Sequence, residues 1–95
     1  GKTKMAQAIV TLTIMPENPD VDLKVIEIAA TREIKTFGGD VGKVEITPVA
    51  FGLKALKLIF VMDEAKGSTE SLEQNIAKIP HVQSCETTDV RRAIG

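Results

Sequence analysis

The sequence predicts an α+β sandwich of order β-α-β-β-α-β, with four antiparallel strands and two helices on one face of the sheet. Three observations predict it. Two segments carry apolar residues at helical spacing, and each lies between segments of period-two or continuous apolar character. Proline and glycine punctuate the boundaries. The right-handedness of crossovers leaves few other arrangements of this order. At 95 residues the chain is one domain's worth of sequence.

Residues 8–15 (AIVTLTIM) alternate Val10, Leu12 and Ile14 with Thr11 and Thr13, a β-branched strand that Pro16 ends. Residues 16–23 (PENPDVDL) hold two prolines and read as a loop entering a helix, with Asp20 or Asp22 available to cap it. Residues 22–33 predict the first helix. Leu23, Ile26 and Ala30 share one face, and Val25, Ile28 and Ala29 widen the apolar sector. Residues 35–40 (KTFGGD) read as a loop around Gly38 and Gly39, with Phe37 folded back onto the core. Residues 41–48 (VGKVEITP) predict the second strand, with Val44 and Ile46 on one face and Lys43 and Glu45 on the other. Residues 53–62 (LKALKLIFVM) are the most apolar segment and predict a central third strand, with Leu56, Leu58, Phe60 and Met62 on one face. Residues 63–68 are a turn. Residues 69–79 predict the second helix, with Leu72, Ile76 and Ile79 as its stripe. Ser68 is its expected N-cap, Glu70 and Glu73 suit its positive end, and Pro80 stops it. Residues 81–89 (HVQSCETTD) predict the last strand, with Cys85 and Thr87 on one side. The uncovered sheet face is expected to carry Thr11, Thr13, Lys43, Glu45, Lys57 and Ser84.

Composition narrows the class. Hydrophobic residues at 43% and charged residues at 26% suit a folded domain, and three Phe without Tyr or Trp make its core aliphatic. Twelve Lys and Arg against 13 Asp and Glu exclude a nucleic-acid binder that works through bulk positive charge. One Cys excludes an internal disulfide framework and a multi-cysteine metal site. No apolar run approaches the roughly 18 residues of a membrane span, and no signal-peptide pattern opens the chain. A soluble cytoplasmic protein is expected. The GKTK ahead of Met5 breaks the pattern, so residues 1–5 read as a disordered leader or cloning remnant and residues 6–95 as a single domain. Residues 92–95 are expected to run past the last strand.

This topology hosts many functions, so individual residues must discriminate. A base-stacking RNA module needs exposed aromatics on the central strands, and those positions carry Thr and Lys. The loop after the first strand has no Cys pair for a soft metal and no Gly- and Arg-rich phosphate cradle. The single His81 reads as a junction residue rather than a base, and Cys85 as a small core hydrophobe. Glu17, Asp20 and Asp22 read as cap and solvated loop rather than a cation site. No catalytic, cofactor-binding or metal-binding residues are expected. The Val-Ala-Phe-Gly stretch between Pro48 and Leu53 is the informative place. Either Phe51 tucks onto the core with Gly52 at positive φ, or Phe51 protrudes as an aromatic anchor. Lys54 and Lys57 are either interface rim charges or solubilising strand charges. Arg91 and Arg92 are either solvated or, opposite a nucleotide-bearing partner, able to compete with a metal ion for phosphate oxygens.

PENPDVDL, PVAFGLKALK and TDVRR, in this order and spacing, resemble the archaeal elongation factor 1-beta family. Its members are guanine-nucleotide exchange factors of the translational GTPase elongation factor 1-alpha. HVQS is similar to the corresponding stretch of the eukaryotic exchange domain. The resemblance covers about residues 6–94. It implies a ferredoxin-like fold, the split-βαβ sandwich already expected from the pattern. It implies binding to elongation factor 1-alpha in its GDP-bound and nucleotide-free states, without bond-breaking chemistry, cofactor, membrane or direct nucleic-acid contact. In the eukaryotic relatives a Phe contacts the second domain of the partner. Phe51 matches it, with Ala50, Gly52 and Lys54 beside it. A C-terminal Lys of those relatives reaches toward the magnesium and switch region. Arg92 stands at that position, with Arg91 adjacent. The departure matters, because a planar guanidinium and a compact ammonium are not interchangeable. The other readings are an RNA- or ribosome-binding module of the same topology and a non-catalytic scaffold subunit.

Overall fold

A computed structural model of the protein describes residues 6–93. The elements are β1 (Gln7–Pro16), α1 (Leu23–Phe37), β2 (Asp40–Pro48), β3 (Lys54–Asp63), α2 (Glu70–Ala77) and β4 (Val82–Ala93). The strands form one sheet of order β2-β3-β1-β4 with every pairing antiparallel. This is the ferredoxin-like α+β sandwich, and β3 is central as its apolar composition requires. The expectations for residues 1–5 and for Ile94 and Gly95 lie outside the described residues.

The period of two builds the core. Val10 faces Phe60, Leu12 faces Leu58 and Ile14 faces Leu56 across β1 and β3, and all six are buried. From above, α1 lays down Ile26, Ala30 and Ile34, and α2 lays down Leu72 and Ile76. Each large side chain so buried contributes about 1.5–3 kcal/mol against exposure. Phe37 packs against this cluster, as expected. Register places Thr11, Thr13, Lys43, Glu45, Lys57 and Ser84 on the opposite face, where Ile9, Ile59 and Val61 add half-buried aliphatic surface.

The C-terminus of α1, helix α2 and the end of β4 differ from expectation. Helix α1 runs on to Phe37, so residues 35–37 are helical rather than loop. Ile34 and Phe37 extend the apolar stripe, and the stop comes only at Gly38, whose φ of 108° is left-handed. The Gly38 and Gly39 N–H groups then both donate to the Ile34 carbonyl, at 3.1 and 2.8 Å. At the other end Asp22, not Asp20, caps the helix, its Oδ1 accepting from the Lys24 N–H at 3.0 Å. Helix α2 is shorter than expected, and its N-cap is Thr69 rather than Ser68. Ser68 Oγ still accepts from the Glu70 N–H at 3.0 Å, while the Thr69 hydroxyl donates to Glu73 Oε2 at 3.1 Å. Glu73 also accepts the Thr87 N–H at 3.2 Å and the Thr87 hydroxyl, which ties α2 to β4.

Strand β4 extends to Ala93, so Arg92 lies within the strand and not beyond it. The physical reason is the free edge of β1. Its backbone groups need partners down to Gln7, and β4 continues until they have them. A bulge permits this. Thr87 opposes Leu12 and Asp89 opposes Thr11, which leaves Thr88 out of the ladder with its hydroxyl 2.8 Å from that of Thr13.

Candidate functional site: the β2–β3 tip and the end of β4

Pro48, the last residue of β2, pairs with Lys54. The connection between them is fixed by the Val49 N–H donating to the Leu53 carbonyl at 2.8 Å and the Leu53 N–H to the Ala50 carbonyl at 3.2 Å. Within it Ala50–Gly52 form a single 3₁₀ turn in which Phe51 stands at φ 61°, ψ 32° and Gly52 at φ 76°. The left-handed region costs a non-glycine residue about 1–2 kcal/mol. Phe51 recovers none of that cost by packing, because it is 94% exposed. Of the two alternatives for this residue, the structure takes the protruding one.

Other apolar side chains are exposed near Phe51. Ile46 and Val49 are exposed beside the turn. A β-carbon on Gly52 would lie 3.9 Å from Pro19 Cγ, so the tip sits against the β1–α1 loop. A groove of about 320 Å³ runs between them, lined by the apolar Pro16, Pro19, Val21, Leu23 and Ile46 and by the charged Asp22, Lys24 and Lys54. The turn before β4 reaches the same end. The Glu17 N–H donates to the His81 carbonyl at 3.0 Å, and His81 Nδ1 lies 3.6 Å from Glu17 Oε1. His81 is exposed and at φ 73°, a junction residue as expected. Three of the four motif segments thus meet at one end of the sheet.

The fourth, TDVRR, runs to the other end. Arg92 opposes Ala8, which opposes Met62. From Lys54 to Met62 along β3 is roughly 27 Å at the usual strand rise. Because β4 alternates there, the two arginines part company. Arg91 shares the open face with Ile9, and its Nε donates to Asp89 Oδ2 at 3.0 Å. Arg92 lies on the helix side, where its Nε donates to Glu64 Oε2 at 2.6 Å and its Nη2 to Glu64 Oε1 at 3.2 Å. Those hydrogen bonds, and the carboxylate charge behind them, raise the Arg92 pKa further.

Cys85 is buried, and burial, reinforced by the charges of Glu73 and Glu86, pushes its thiol up to about 12. Among the described residues no group of three or more His, Cys, Asp and Glu could hold a metal ion, and no helix is long and apolar enough to cross a membrane. Phe37 and Phe60 belong to the core side and Phe51 to the tip, so the open face presents no aromatic for base stacking. Sequence reasoning missed Glu64, Asp89 and the groove at Pro19. Only the last had a signal, the paired prolines of PENP.

The EF-1 guanine nucleotide exchange domain matches residues 9–93. The chain belongs to this exchange-domain family. Elongation factor 1-beta of Methanobrevibacter smithii is 46% identical over 93% of the chain and 98% of its own length. The proteins of that name from Methanothermobacter thermautotrophicus and Staphylothermus marinus are 39% and 36% identical, each over 93% of the chain and 98% of their own length. The exchange-domain fold has wider likenesses. The C-terminal domain of the MgtC protein from Mycobacterium tuberculosis superposes with a TM-score of 0.63 at 11% identity, covering 98% of this chain and 94% of that one. The ACT domain from GTP pyrophosphokinase of Chlorobium tepidum gives 0.54 at 20% identity, over 83% and 95%. At such identities the likeness is of fold alone. Membership in the exchange-domain family makes this chain a translation elongation factor of the nucleotide-exchange class.

Proposed function

We propose that the chain promotes GDP release from elongation factor 1-alpha by holding it at two separated points. One observation carries the reading: Phe51 is almost fully exposed in a left-handed conformation whose cost its side chain does not recover by packing. An aromatic held this way suits an anchor that becomes buried only on docking. Ala50 and Gly52 shape the turn that presents it, and Lys54 rims the adjoining groove.

The second point is the end of β4. Magnesium and the phosphate-binding loop of a GTPase hold GDP together. A factor that binds the nucleotide-free state more tightly than the GDP state lowers GDP affinity by the same coupling factor. Arg92 supplies a cation that offsets phosphate charge as the metal contact weakens. Arg91, on the other face of the sheet, contributes rim charge. No covalent bond is made or broken in this step, and GTP hydrolysis belongs to the partner. The factor works where translation occurs, in the cytoplasm.

The test is release of a fluorescent GDP analogue from archaeal elongation factor 1-alpha, chased with excess GTP. The chain accelerates release, and Arg92→Ala reduces the acceleration while leaving association intact. No acceleration with a competent partner would remove the proposal.

A further inference from the structure

We infer that Glu64 is a positioning residue for Arg92, turning the guanidinium so that one donor edge stays free for a phosphate oxygen of the partner's nucleotide. The inference rests on the two-point reading above and deepens it.

The geometry of the pair is built into the backbone. The Glu64 N–H donates to the Ala6 carbonyl at 3.0 Å, and Arg92 is paired with Ala8, so both residues are tied to the start of β1. The turn carrying Glu64 is itself held. Asp63 Oδ1 accepts from the Ala65 N–H at 2.9 Å, and the Gly67 N–H donates back to the Glu64 carbonyl at 3.1 Å. The carboxylate is the inner partner, 31% exposed, and the guanidinium the outer one, 66% exposed. Glu64 takes the Nε–H and one Nη2–H. Both Nη1 hydrogens and the second Nη2–H remain, and that Nη2–H with the Nη1–H beside it forms the two-donor edge that grips an oxyanion in bidentate fashion. A lysine's three donors rotate about a single bond, whereas a carboxylate on one edge of the planar guanidinium fixes the direction of the other edge. Arg91 lacks this arrangement, since Asp89 is its neighbour on the same strand and makes a single bond to it.

Glu64 also cancels charge, which on its own would make it a latch. Solvent screens so exposed a pair, leaving orientation as the larger effect.

The experiment measures the GDP-release rate against factor concentration for the parent, Glu64→Ala, Glu64→Gln, Arg92→Ala and the Glu64→Ala/Arg92→Ala double variant. Glu64→Ala is expected to lower the maximal rate about fivefold, as an arginine freed to many rotamers must be ordered again. The half-saturating concentration, set chiefly by Phe51, stays near the parent value. Glu64→Gln, which keeps one acceptor, falls between. In the Arg92→Ala background, Glu64→Ala changes nothing, and thermal midpoints stay close to the parent's. A Glu64→Ala rate equal to or above the parent's, with Arg92→Ala slow, overturns this inference and leaves the proposed function standing. An equal loss from Glu64→Ala with and without Arg92 overturns it too. A parent protein that releases no GDP removes the proposed function itself.

Discussion

Phe51→Ala separates docking from folding. The side chain is 94% exposed, so truncating it removes almost no buried surface from the free protein. Alanine pays a similar conformational cost at φ 61°, and stability should therefore change by no more than about 0.5 kcal/mol. In the complex the same ring passes from water into contact. Burying a phenylalanine contributes about 1.5–3 kcal/mol, which is a factor of about 10 to 150 in affinity. The assay is GDP release titrated with the factor. The half-maximal concentration should rise by that factor while the rate at saturation holds, because Arg92 is untouched. Urea unfolding of the same variant supplies the stability arm. Phe60→Ala is the contrast. Phe60 is fully buried, and its loss should cost about 3–5 kcal/mol. A Phe51→Ala protein with normal exchange, or one destabilised like the Phe60 variant, would refute the anchor argument.

Two further outcomes follow from the packing. Gly39→Ala should destabilise the fold by about 1–3 kcal/mol through overpacking, because its β-carbon would stand 2.6 Å from Phe60 Cδ2 and 2.8 Å from Ile34 Cγ2. An unchanged urea midpoint would show that α1 shifts freely. Cys85 should resist alkylation in the native protein at pH 8 and react once the protein is unfolded, its thiol being raised from 9.0 to about 12 by burial. A pKa raised in the folded state contributes stability that is complete below about pH 9 and fades toward pH 12 as the unfolded thiol ionises. Urea midpoints should accordingly fall more between pH 8 and 10.5 for the parent than for Cys85→Ala. Equal slopes would count against this origin of the shift.

The strand and helix order, the central place of β3 and the inward residues of β1 and β3 were legible in the sequence, because side-chain alternation is a local property of the backbone. Helix ends were less so. The glycine pair after α1 reads equally as a loop or as the stop of a longer helix, and only the hydrogen bonds to Ile34 decide. The motifs named the family and drew attention to Phe51 and Arg92. Whether Phe51 turned inward depended on the backbone of one residue, which its neighbours' pairing with β3 imposes. The faces taken by Arg91 and Arg92 depended on β4 extending along β1 beyond a bulge at Thr88. The contact between Arg92 and Glu64 joins residues 28 positions apart. Local periodicity carries no information on such a pair. It exists because the sheet brings the end of β3 and the end of β4 to opposite edges of the same strand.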